Sequence, residues 1–204
     1  MNQTRTTAPA PAVTTATTAT TAATAAPRFD LEDATARAAK LRVMIFDVDG
    51  VLTDGGLRYG PAGETFKTFD SLDGHGLKLL AEAGIVTAII TGRKSDIVAK
   101  RAADLGVAHV YQGVHDKRVA FEDLCTKLSV SAQACGHIGD DWPDLPVLTR
   151  VGFAACPANA HAEVQSRCHW IASVRGGNGA VRELCDFILH AQGRYDALLA
   201  AALA

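Results

Sequence analysis

Two carboxylates one residue apart, Asp47 and Asp49, follow directly on the apolar run Val43, Met44, Ile45 and Phe46. Side chains of that type and spacing repel each other unless a cation or a shared proton intervenes. Further along, Thr91, Lys117 and the acidic group Asp140, Asp141 and Asp144 each come at or soon after a comparable apolar run. Clustered carboxylates suit a hard cation such as Mg²⁺, which takes oxygen ligands and retains several waters. An ammonium and a hydroxyl suit the oxygens of a phosphoryl group, which carry charge in its transition state. Each group alone has a plainer reading: a polar turn, a cap, a solvated charge, a helix N-cap before Trp142-Pro143. Taken together and in this order, they speak for phosphoryl chemistry.

Such groups converge only if strands deliver them to one edge. Val43 to Phe46 reads as a strand buried on both faces of a parallel sheet. Gly55-Gly56 and Gly60-Pro61-Ala62-Gly63 are turn signals, and Leu57, Tyr59, Thr65, Phe66 and Phe69 predict a hairpin beside the first strand. Asp73 to Ala83 is predicted helical and is stopped by Gly84. Strands are predicted at Ile85–Ile90, Ala108–Tyr111, Cys135–Ile138, Val151–Cys156 and Trp170–Ala172. Helices are predicted at Ser95–Leu105, Lys117–Leu128 and Ala180–Leu189, with a short lead-in helix at Asp30–Lys40 capped by Asp30. This alternation predicts an α/β fold, a doubly wound parallel sheet with right-handed crossovers. Such sheets bind ligands at the carboxyl ends of their strands, where Asp47, Asp49, Thr91 and Asp140 fall.

The stretch Asp47-Val48-Asp49-Gly50-Val51-Leu52-Thr53 resembles the first motif of the haloacid dehalogenase-like phosphohydrolases, and Thr91, Lys117 and Gly139-Asp140-Asp141 resemble the other three. The resemblance implies a Rossmann-like fold and a Mg²⁺-dependent phosphatase. It implies Asp47 as nucleophile, forming an aspartyl-phosphate, and Asp49 as general acid and base. Thr91 and Lys117 would complete the catalytic group. Metal ligands would be the Asp47 and Asp140 side chains and the backbone carbonyl of Asp49, with Asp141 and Asp144 orienting Lys117 or a metal-bound water from behind. Substrate choice in these enzymes usually comes from an inserted cap. The gaps Thr53–Thr91 and Gly92–Lys117 are too short for a separate domain of about 50 residues, so the chain is expected to be capless.

A closer resemblance, over about residues 30–193, is to the capless, tetrameric 3-deoxy-D-manno-octulosonate 8-phosphate phosphatases of lipopolysaccharide sugar synthesis. Beyond the shared motifs it is carried by Ile89-Ile90-Thr91-Gly92-Arg93-Lys94, Tyr111-Gln112-Gly113 and Gly176-Gly177-Asn178-Gly179-Ala180-Val181-Arg182-Glu183. It implies substrate contacts at Asp49, Asp70, Ser71, Leu72, Asp73, Gly74, Lys78, Arg93, Arg101 and Lys117. Arg93 suits the carboxylate of a sugar acid. Two positions depart from the pattern: Asp70-Ser71-Leu72-Asp73-Gly74 stands for Asn-x-Arg-Asp-Gly, and Asn178 stands where relatives often carry Arg. His75 is a further candidate contact. The resemblance also implies a homotetramer in which the hairpins pack together and the run Gly176–Gly179 closes over a neighbouring site. Two alternatives stand beside this reading. One is the same chemistry on a nine-carbon sialic-type acid 9-phosphate. The other is a signalling receiver domain, disfavoured because Asp47 and Asp49 share the first strand.

The 204 residues are 48 % hydrophobic and 21 % charged, with a net charge of −2, the balance of one globular domain rather than of a nucleic-acid or membrane-surface binder. No apolar stretch reaches the roughly 18–20 residues of a membrane span. Residues 1–27 are nearly all Thr, Ala and Pro and read as a disordered tail, with no unbroken apolar segment of a signal peptide. The phosphatase domain is expected over residues 28–193 and a C-terminal tail over 194–204. The five cysteines, Cys125, Cys135, Cys156, Cys168 and Cys185, have no Cys-x-x-Cys spacing and read as reduced thiols of a cytoplasmic protein.

Overall fold

The computed structural model describes Met1 and residues 29–204, so the expectation of a disordered tail lies, Met1 apart, outside the described residues. Helix α1 (Leu31–Ala38) opens the fold, and the Asp30 carboxylate accepts the free N–H groups of Glu32 and Asp33 at its start. Strand β1 (Val43–Phe46) follows, then the hairpin β2 (Arg58–Gly60) and β3 (Gly63–Phe66), helix α2 (Ser71–Glu82) and strand β4 (Val86–Ile90). The middle of the chain forms α3 (Asp96–Leu105), β5 (His109–Tyr111), α4 (Lys117–Leu128) and β6 (Cys135–Ile138). Two one-turn helices, α5 (Leu145–Leu148) and α6 (Ala162–Gln165), flank β7 (Phe153–Cys156). Strand β8 (Trp170–Ile171), helix α7 (Ala180–Ala191) and helix α8 (Tyr195–Leu203) complete it. The last was expected only as a tail; its Tyr195 and Leu198 pack on the core.

The six strands of the main sheet run parallel in the order β5-β4-β1-β6-β7-β8. Side chains alternate across each strand. Met44 and Phe46 face a core with Leu77, Leu80, Leu184 and Ile188 of α2 and α7, whereas Val43 and Ile45 face Phe121 and Leu124 of α4 and Leu148 of α5. A helix layer thus covers each face, and the strands read as continuous apolar runs because neither face meets water. The chain leaves β1 toward β4 and β5, then returns to the other side of β1 for β6. That reversal opens a crevice at the carboxyl ends of β1, β4 and β6. Among the described residues no cap domain covers it, and only the small hairpin lies over the chain's own site.

Candidate active site

The loop after β1 sets the first carboxylates. Gly50 has φ +90°, and a Cβ there would sit 2.0 Å from Asp140 Oδ2, so only glycine lets this loop lie against the loop after β6. The Thr53 hydroxyl ties the turn by bonding the carbonyl of Val48 at 3.3 Å. Asp47, Asp49, Thr91, Arg93, Lys117, Asp140, Asp141 and Asp144 then line one cleft of about 210 Å³, with Gly92 and Pro143. The predicted catalytic and metal-ligating residues are therefore brought together.

The charges of this cleft are arranged around Lys117, the first residue of α4. Its ammonium is buried between Asp47 Oδ1 at 2.8 Å and Asp144 Oδ1 at 2.7 Å. These carboxylates hold its pKa above the ordinary lysine value, against the opposing effect of burial. Asp144 is fully committed to protein donors: its Oδ1 also accepts from His137 Nε2 at 2.8 Å, and its Oδ2 from the backbone N–H of Asp140 at 3.2 Å. Burial alone would raise Asp144, but His137 and Lys117 bring it down to about 2. Asp47 and Asp140 lack that supply. Burial, with the repulsion of Asp144, pushes Asp47 up to about 6 despite Lys117. Burial and the charge of Asp47 push Asp140 up to about 7.

One oxygen from each of Asp47, Asp140 and Asp144 can be brought within 4.8 Å of the others, a spacing that fits a small divalent cation. The bonding separates their parts. Asp144 has donors on both oxygens, whereas Asp47 shares the Lys117 ammonium with it, and burial leaves Asp47 and Asp140 with raised pKa values.

Sequence reasoning missed several members of the site. Lys67, just beyond β3, places its ammonium against the Asp49 carboxylate and 2.8 Å from Glu64 Oε1. Glu64 in turn accepts from the Ser95 hydroxyl, and Arg93 donates to the Tyr59 hydroxyl. The hairpin was expected beside the site; it is ionically fastened to it. The only signal in the sequence was charge within a hairpin, which is ordinarily a solvated edge. His137 was missed because a lone histidine in an apolar strand carries no pattern.

Other expectations are placed elsewhere. Asp70 is the N-cap of α2, accepting from Leu72 N at 2.7 Å. Asp73 accepts from the backbone N–H of Arg182 at 2.8 Å at the start of α7, and Arg101 donates to Asp70 O at 3.3 Å. Asp70, Asp73, Gly74 and Arg101 line a nearly filled crevice with Phe69 and Leu105, while Ser71, Leu72 and Lys78 are exposed. Within the chain none of these joins the cleft around Asp47. His75 lies in another depression, beside Leu79 and Tyr195, and not at the cleft. The run Gly176–Gly179 is not a free flap in this chain. Gly177 N–H bonds Val51 O at 2.9 Å, and a Cβ on Gly176 would sit 1.8 Å from Gly50 O. All five cysteines are free thiols, and none lines the cleft.

A family model described as haloacid dehalogenase-like hydrolase matches residues 104–184. The 3-deoxy-D-manno-octulosonate 8-phosphate phosphatase of Escherichia coli K12 is 43 % identical over 164 residues, covering 80 % of this chain and 87 % of the relative. The chain belongs to the haloacid dehalogenase-like hydrolases. Solved structures of this hydrolase group superpose closely. The 3-deoxy-D-manno-octulosonate 8-phosphate phosphatase of Moraxella catarrhalis, in complex with a magnesium ion, a phosphate ion and 3-deoxy-D-manno-octulosonate, has a TM-score of 0.82 at 40 % identity, covering 84 % of this chain and 99 % of that one. The Yersinia pestis enzyme has a TM-score of 0.79 at 42 % identity, covering 81 % and 89 %. Membership of the haloacid dehalogenase-like hydrolases sets aside the receiver-domain alternative. It also agrees with the sheet order and with the acidic pair at the end of β1.

Proposed function

We propose that this hydrolase cleaves the phosphate ester of 3-deoxy-D-manno-octulosonate 8-phosphate, a sugar-acid step of lipopolysaccharide synthesis. The observation that carries the reading is the convergence of Asp47, Thr91, Lys117 and Asp140 at one strand-end cleft, in a chain more than two-fifths identical to phosphatases of that name. Asp47 and Asp140, with the Asp49 backbone carbonyl, would hold Mg²⁺, whose charge lets a carboxylate approach a phosphate dianion. The Lys117 ammonium, 2.8 Å from Asp47, aims that nucleophile and faces the same phosphoryl group. The Thr91 hydroxyl supplies a second donor to the phosphoryl oxygens. Asp47 attacks phosphorus as the bond to the ester oxygen breaks, and Asp49 gives that oxygen its proton. Asp49 then takes a proton from the water that attacks the aspartyl-phosphate, which frees Asp47 and phosphate.

Arg93, at the mouth of the cleft, is assigned to the substrate carboxylate. Residues 70–74, Lys78 and Arg101 lie outside the chain's own cleft, so a role in substrate binding requires them to serve a neighbouring copy. The exposed apolar side chains of the hairpin, Leu57, Tyr59 and Phe66, support such an assembly, which we take to be a homotetramer. No described helix is long and apolar enough to cross a membrane, and the free thiols support a cytoplasmic setting. Leu72 departs from the Asn-x-Arg-Asp-Gly pattern that the resemblance implies, so the nine-carbon acid 9-phosphate is the second substrate to test.

The test is phosphate release from a panel of sugar-acid and neutral sugar phosphates, with Mg²⁺ and with chelator, for the wild type and Asp47→Asn. The expected result is Mg²⁺-dependent turnover, highest kcat/KM on the eight-carbon acid, and loss of turnover in the variant. Equal kcat/KM on glucose 6-phosphate refutes the substrate; near wild-type turnover by Asp47→Asn refutes the mechanism.

A further inference from the structure

Lys67 is a lysine with only 2 % of its side chain exposed, held in a hairpin that exposes its apolar residues instead. Two strands of three and four residues do not hold together alone in water. Something must seat them, and the contacts that do so are the ion pairs of Lys67 and Arg93 together with hydrogen bonds from Ser95 to Glu64 and from Arg93 to the Tyr59 hydroxyl. The Lys67 ammonium bridges Asp49 Oδ1 and Glu64 Oε1. Asp49 therefore has one oxygen fixed from the hairpin side. Its other oxygen lies 3.5 Å from Arg93 Nε, and among the described residues it has no further partner.

We propose that Lys67 is a positioning residue for Asp49, holding Oδ1 so that Oδ2 is the oxygen that exchanges a proton with the leaving group. The inference rests on the phosphatase reading given above. Arg93 keeps 36 % of its side chain exposed at the cleft mouth, and it must give up its contact with Asp49 to reach a substrate carboxylate. Once it does, Lys67 alone fixes Asp49. As the phosphorus–oxygen ester bond breaks, its electron pair stays on the leaving oxygen and the proton on Oδ2 passes to that oxygen. In the second half-reaction a water proton returns to Oδ2, the water oxygen bonds phosphorus, and the bond to Asp47 breaks. Atoms and charge balance to one water consumed per ester. A lysine that merely pinned the hairpin would have no reason to touch the acid rather than any other surface carboxylate.

The experiment compares two esters with Mg²⁺ present and the full chain intact. One is the sugar-acid 8-phosphate, an alkyl ester whose leaving oxygen needs a proton. The other is 4-nitrophenyl phosphate, whose phenolate leaves without one. General-acid assistance is typically worth 10²–10⁴ in rate, so losing its aim should cost about 10–100-fold. Lys67→Met is expected to lose about that factor in kcat/KM on the alkyl ester, the constant that reports the steps up to departure of the leaving group, with less than about threefold lost in kcat/KM on the aryl ester, because hydrolysis of the aspartyl-phosphate is common to both. Lys67→Arg is expected to recover most of the alkyl rate. Equal losses on both esters, or no loss on either, overturn the proposal and leave Lys67 as a strut. Should Lys67→Met fail to fold, Lys67→Gln, which keeps a neutral donor, is scored by the same ratio. If the wild type hydrolyses neither ester, it is the phosphatase reading that fails.

Discussion

Asp140 offers the sharpest link between the charge of the cleft and something measurable without substrate. In the folded chain its carboxyl is raised from 3.8 to about 7. A raised acid binds its proton more tightly when folded than when unfolded, so the proton favours folding. That contribution is complete below the unfolded value, shrinks as pH rises, and is gone above the folded value. Between pH 5 and pH 7 the unfolded carboxylate is already ionised, while the folded one is protonated at pH 5 and half ionised at pH 7, so the slope falls from one proton to half of one. At about 1.4 kcal/mol per proton and pH unit, the metal-free protein loses about 2 kcal/mol across that window. For a domain of this size that is a fall in Tm of about 4–8 °C. Asp47, raised to about 6, acts with the same sign at the acid end of the range. His169, lowered by its own burial, acts with the opposite sign but equally in wild type and variant. The assay is thermal unfolding in chelator at pH 5, 6, 7 and 8 for the wild type and Asp140→Asn, whose amide does not titrate. The wild-type Tm should fall relative to the variant as pH rises, and Mg²⁺ at about 100 times its Kd should return about 3 kcal/mol at pH 7. Parallel Tm–pH curves for the two proteins would refute the reasoning.

Three further outcomes are expected. Lys117→Met leaves Asp47 and Asp144 buried without their shared cation; denaturant unfolding at pH 7 should show a loss of about 3–5 kcal/mol. Thr91→Ala removes one donor from the phosphoryl site and should lower kcat by about 10²–10³ with an unchanged circular dichroism spectrum. Gly177→Ala places a Cβ 2.5 Å from Asp54 N at a φ of +67°; a loss of about 1–3 kcal/mol in stability is expected on unfolding in urea.

Much of the site was legible because it sits where strands end. Val43–Phe46, Val86–Ile90 and Cys135–Ile138 are apolar on both faces, so their patterns mark them plainly, and the polar residues that stop them are Asp47, Thr91 and Asp140. Lys117 was readable as the first residue of a helix. What the sequence concealed comes from chain folding back. Lys67 and Glu64 reach Asp49 only because the hairpin lies over the β1 loop, and nothing local announces that. His137 serves the cleft from inside the sheet, beneath Asp144. The one-turn helices α5 and α6 are too short to show a period, and α8 is rich in alanine and leucine with no polar face to mark its orientation. Asp70 and Arg101 were read as ligand contacts, and in the single chain they are a helix cap and its neighbour.

The central place of β1 also fixes a timetable for synthesis. One edge of β1 pairs with β4, in register from Val43 opposite Val86, and the other with β6, from Val43 opposite Cys135. The second partner lies 92 residues downstream. A ribosome adding about 5–20 residues per second leaves the apolar edge of β1 without it for about 5–20 seconds. During that interval the nascent chain carries a sticky strand edge, and such distant pairings also slow refolding from denaturant. The same strand order that assembles the cleft therefore predicts light scattering from aggregates when the denatured chain is diluted rapidly into buffer.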